Sequence, residues 1–85
     1  MRNFFMEIWK ERIHESEVSG TYLGKEALST FFHHILPKNK YPELAYEKSN
    51  IILLTLEEHT NVENDMYRYP EVNVRREQLL NKINQ

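Results

Sequence analysis

Apolar positions along this chain follow two rhythms, and the rhythm separates helix from strand. Phe4, Phe5, Ile8, Trp9 and Ile13 recur at helical spacing with charged residues between them. That is the stripe of an amphipathic helix across residues 4–15, docking its Phe, Trp and Ile side chains on a core. Phe31–Leu36 and Ile51–Leu54 are short apolar runs of a length that suits buried strands. Pro37 cannot donate a ladder hydrogen bond, so the first run should end there. Ser19-Gly20 is a turn signal that centres a short hairpin on Val18–Leu23. Residues 37–49 hold Pro37, Pro42 and several charges, the composition of an ordered loop. Thr55 with Glu58 three residues on is a capping-box signature, so a helix starts after Thr55 and runs to about Tyr67, before Pro70. Asn73 can cap a last helix, Val74–Ile83, with Leu79, Leu80 and Ile83 on one face. The elements sum to a small α+β fold with a helix at each end.

Size changes the picture by limiting what can stabilise it. Eighty-five residues make one domain, 1–85. Domains this small often rely on a disulfide or a metal. There is no cysteine, so a metal must be held by His, Asp, Glu or Asn. No apolar run reaches membrane-spanning length, and the charged N-terminus lacks the apolar core of a secretory signal. A soluble, cytoplasmic protein with no membrane partner is expected. The net charge of −2 is low for a chain that grips phosphates. Cations do cluster locally, as Lys38, Lys40 and Lys48 in the loop and as Arg75, Arg76 and Lys82 near the C-terminus. The five tyrosines, Tyr22, Tyr41, Tyr46, Tyr67 and Tyr69, are expected to cover the core edge. An HExxH helix, a Gly-rich phosphate loop and a nucleophile elbow are all missing from the sequence.

The chemistry-bearing residues are His33 and His34 at the end of the first strand, Asn50 opening the second, and His59 on the helix. Hydrolysis of a phosphodiester needs a base for water, a cation for the developing charge, and a geometry that holds both. Neutral imidazole can serve as base or as ligand near pH 7. Adjacent strand residues point to opposite faces, so both histidines serve one site only if the strand twists or ends there. His14, in a charged helix end, reads as an ordinary surface or core residue.

In this order, HHILPKNKYP, SNIILL and EEH resemble the ββα-metal core of the HNH endonucleases, over roughly residues 14–67. The resemblance implies His33 and His59 as metal ligands and His34 as general base. It implies Asn50 as the residue that ties down the intervening loop and keeps His34 oriented. A third ligand in some relatives, one helical turn on, would fall on Glu63, on the same helix face as His59. For Glu63 a ligand and a solvated acidic face stand even, and Asn64 and Asp65 are weaker candidates. The implied ion is Mg²⁺ or Mn²⁺, with Zn²⁺ and Ni²⁺ as further candidates. Many relatives carry knuckle cysteines; here those places hold Ser16 and Glu58, so no structural zinc is expected. The implied activity is metal-dependent DNA cleavage in a bacterial or phage-infected cytosol, aided by a homodimer or a larger protein partner. The alternative is an HNH-like module that has lost cutting and binds a protein or nucleic acid.

Overall fold

The computed structural model describes residues 3–84. Helix α1 (Asn3–Glu11) leads through an irregular stretch to strand β1 (Phe32–His34). A long loop with short 3₁₀ turns at Pro42–Leu44 and Lys48–Asn50 returns the chain to strand β2 (Ile51–Leu53). Helices α2 (Leu56–Asn64) and α3 (Pro70–Ile83) complete a small α+β fold.

β1 and β2 pair antiparallel, with Phe32 opposite Leu53, His33 opposite Ile52 and His34 opposite Ile51. A two-stranded sheet is marginal alone, so both faces need cover. One face carries a cluster of Ile35, Leu36, Ile52, Leu54, Val62, Val72 and Leu79, built with α2 and α3. The other carries Ile8, Trp9, Leu23, Phe32, Ile51 and Leu53, built with α1. Continuous apolarity of Ile51–Leu54 is thereby explained, since successive side chains enter different clusters.

α1 is shorter than the stripe suggests. It stops at Glu11, and Ile13 is 76% exposed rather than docked. Tertiary contacts take over from the helix: Arg12 reaches the Lys48 and Ile51 carbonyls, and His14 turns back to stack on Trp9 at 3.7 Å. The expected hairpin exists as a turn around Gly20, at φ +75°, but with one isolated bridge, Glu15 to Tyr22. α2 starts at the expected Thr55, whose capping box with Glu58 is complete. It ends at Asn64, earlier than Tyr67, because Asp65 adopts an extended conformation and accepts the Tyr67 N–H in an Asx turn. α3 starts at Pro70, with Tyr69 as N-cap, so Asn73 is not its cap. Proline has no N–H to lose in the first turn, which is why it opens this helix. Of the expected apolar face, Leu79 is buried and Ile83 is exposed. Tyr41 and Tyr69 pack on the core as expected, whereas Tyr22, Tyr46 and Tyr67 are exposed.

Candidate metal centre

β1, the start of the loop after it and Phe5 of α1 form one wall of a cleft of about 590 Å³, bounded on other sides by α2 and by Arg76 of α3. His33 projects from the Ile52 side of the sheet toward α2. Its ring meets that of His59 edge-on, with centroids 5.0 Å apart. One turn later on α2, Glu63 reaches back to His59, with Oε1 3.3 Å from Nε2. Potential donor atoms of His33, His59 and Glu63 all lie within 4.8 Å of one another. Donors sharing a tetrahedral ion at Zn–N distances sit about 3.4 Å apart, so small rotations would close the set.

The tautomer of His59 follows from its neighbours. Its Nδ1 lies 2.6 Å from the Thr30 carbonyl, which can only accept, so Nδ1–H donates. The Nε2 lone pair then faces the Glu63 carboxylate, and two acceptors in contact need a proton or a metal cation between them. A backbone carbonyl that orients a histidine in this way is the support metal-ligating imidazoles ordinarily have. His33 is held neutral by its surroundings. Burial pushes its pKa down to about 4, and the neighbouring His59, His34 and Arg76 charges act in the same direction. A neutral ring is the form that coordinates a metal.

His34 projects to the other side of the sheet, where its ring lies 6.1 Å from that of Phe5. Strand alternation therefore separates the two histidines, as the geometry of a regular strand demands. Because β1 ends at His34, both rings still line the same cleft. The His34 Nε2–H donates to the Ala45 carbonyl at 3.1 Å, which leaves Nδ1 with its lone pair free.

Asn50 is fully buried and holds the loop shut. Its Oδ1 accepts the Leu36 N–H at 2.8 Å, and its Nδ2 donates to the Leu36 and Leu44 carbonyls at 2.9 and 3.3 Å. Its side chain hydrogen-bonds to neither histidine. Its contribution is to fix the backbone on both sides of the loop, including the stretch that presents the Ala45 carbonyl.

Ser16 and Glu58, at the places of the knuckle cysteines, are buried and hydrogen-bonded directly, Ser16 Oγ–H donating to Glu58. Burial raises the Glu58 pKa, but hydrogen bonds from Ser16, Ser19 and Thr55 outweigh it, and the net shift is downward. Among the local cations, Lys48 pairs with Glu11 and Arg75 with Glu17, so neither faces the cleft. Lys38 and Arg76 do line it. Asp65 is not part of the donor cluster. The carbonyls of Thr30 and Ala45 were beyond sequence reasoning, because a backbone oxygen carries no residue-type signal.

Among the described residues, no helix is long and apolar enough to cross a membrane. Comparison with protein-family models, with curated proteins and with solved structures finds no match to this chain.

Proposed function

We propose that this chain is a metal-dependent endonuclease of the HNH type, cutting DNA phosphodiesters with His34 as general base. The observation that carries the reading is that His33, His59 and Glu63 bring donor atoms within 4.8 Å of one another, with a third imidazole, that of His34, in the same cleft. β1 supplies His33 and His34 and α2 supplies His59 and Glu63, with the loop and β2 between them in the strand, loop, strand, helix order of a ββα-metal core.

His33 and His59 would hold the ion through neutral nitrogens, and Glu63 would contribute the anionic oxygen. Two imidazoles and one carboxylate suit Zn²⁺, Mn²⁺ or Ni²⁺ better than Mg²⁺, which prefers oxygen throughout. Three protein donors also leave coordination positions open, the pattern of a catalytic rather than a structural metal. When bound, the ion supplies charge for the phosphate in its transition state. His34 takes the proton from water at its free Nδ1, held by the bond from Nε2–H to Ala45. Asn50 maintains the loop that carries Ala45. With a net charge of −2, grip on DNA would come from a second copy or a larger partner.

Plasmid nicking with Mn²⁺, Zn²⁺ or Mg²⁺ tests the reading. Cleavage should appear with wild type and fall by about a hundredfold or more in His34→Ala, the range general-base catalysis contributes. Equal nicking by the two proteins would remove His34 from the mechanism. The net charge of −2 favours a second reading, a module that binds without cutting. Under it, titration calorimetry would show no uptake of Mn²⁺ or Zn²⁺ by the wild type.

A further inference from the structure

We propose that Arg76 is an anion-binding residue of the metal cleft, its unpartnered Nε–H the donor for a non-bridging oxygen of a phosphodiester. The inference rests on the proposed function only for the source of the anion. Its observations lie on α3, to which the family resemblance assigns no role.

Arg76 is 6% exposed and lines the cleft beside the metal-ligand cluster. Its guanidinium is fixed on three sides. Nη1 donates to Asn73 Oδ1 at 2.7 Å, Nη2 donates to the Met66 carbonyl at 2.5 Å, and the group lies over the Tyr67 ring at 5.2 Å. Nε is buried and has no hydrogen-bond partner among the described residues. No carboxylate pairs with this guanidinium among the described residues. By contrast, Arg12 and Arg75 share the Glu17 carboxylate and also reach backbone carbonyls.

A buried cation with neither a counter-ion nor a full set of acceptors is costly, and an unsatisfied donor in such a place calls for a reason. The surroundings supply one. Lys38 lines the same cleft and forms no ion pair among the described residues, so two uncompensated cations converge on it. A metal ion on His33, His59 and Glu63 would add to that positive field. An oxyanion answers all three charges, and a guanidinium held in one orientation suits a phosphate oxygen better than a mobile ammonium does.

Titration of ¹⁵N-labelled protein tests this, following the arginine Nε–H resonances. Two probes are used without metal, inorganic phosphate and a short DNA duplex. The Arg76 Nε–H signal should move with both, and at lower concentration with DNA, while the Arg12 and Arg75 signals stay in place. In Arg76→Lys, phosphate should bind about ten- to a hundredfold more weakly, the effect of losing one charge-assisted hydrogen bond. Affinity of that variant for Mn²⁺ should stay within about twofold of wild type, because ligands and charge are retained. An Arg76 Nε–H signal unmoved by both probes overturns the anion site, even if the variant fails to fold. Movement with phosphate but not with DNA overturns the phosphodiester as its source. A wild type that binds neither Mn²⁺ nor Zn²⁺ but shows the Arg76 shift sinks the metal reading and leaves the anion site standing.

Discussion

Asn50 is the residue on which the shape of the cleft rests. Three hydrogen bonds to the backbone of residues 36 and 44 depend on one fully buried amide. Asn50→Ala should cost about 3 kcal/mol in denaturant unfolding, because buried backbone groups lose their partners. Asn50→Asp should be no better, since a carboxylate oxygen would then face two carbonyls. His33 gives a pH dependence to the metal-free protein. Its folded pKa of about 4 lies below its ordinary value of 6.5, so the unfolded state binds the extra proton first. Stability should therefore be fully present above about 6.5 and decline as pH falls toward 4, a trend His33→Phe should flatten in chelator-treated melts. Glu63 is decided by a softer substitution: Glu63→Gln should weaken Mn²⁺ binding about tenfold or more if the carboxylate is a ligand. Unchanged affinity would make it a solvated helix residue, the other role its position allows.

At the scale of elements, local rules located the starts better than the ends. Thr55 and Glu58 cap α2 where the capping box requires, because that signal lies within four consecutive residues. α1 and α2 both end early, where nearby side chains compete for the backbone: His14 binds the Trp9 carbonyl and Asp65 accepts the Tyr67 N–H. Asn73 misled because a good capping residue was weighed above proline, although proline is equally suited to open a helix. Instead, Asn73 faces α3's own Arg76 and the Tyr67 carbonyl. The capping glutamate also has a second task, binding Ser16 across the fold. Ser16→Ala should remove about 1–3 kcal/mol, measurable as a shift in the denaturation midpoint, by leaving the Glu58 carboxylate short of a donor. With its pKa depressed, Glu58 stabilises above the usual glutamate range, and that contribution is lost as pH falls through its folded value.

Over the whole molecule, a minimal sheet is sandwiched between two apolar clusters and locked at its rim by charge. Glu17 accepts hydrogen bonds from Arg12, Arg75 and the Leu53 N–H, tying the segment after α1 to β2 and α3. Glu17→Gln should lower stability by about 2 kcal/mol, since both guanidiniums lose their counter-charge near partly buried carbonyls. A bound metal would act on the same global equilibrium, because it joins β1 to α2 only when folded. Metal at about a hundred times its dissociation constant should add about 2.7 kcal/mol, raising Tm by about 10 °C or more, reversibly with chelator. A melting temperature indifferent to Mn²⁺, Zn²⁺ and chelator would argue against a shared ion at these residues.

Apolar periodicity determined the α+β class and the two strands, and the Thr55–Glu58 pair the start of α2, since each depends on residues close together in the chain; the candidacy of His33, His59 and Glu63 came from the resemblance to HNH endonucleases. The His33–His34 pair was legible as chemistry but not as geometry. Strand register sends one ring toward α2 and the other toward α1, and only the end of β1 lets both reach one cleft. The same holds for Arg76. Among the cations at the C-terminal end it was indistinguishable by sequence from Arg75, yet packing satisfies one with Glu17 and leaves the other with an unpartnered donor. Residue type sets what a side chain can do, and burial, partners and the direction it faces depend on contacts between segments distant in the chain.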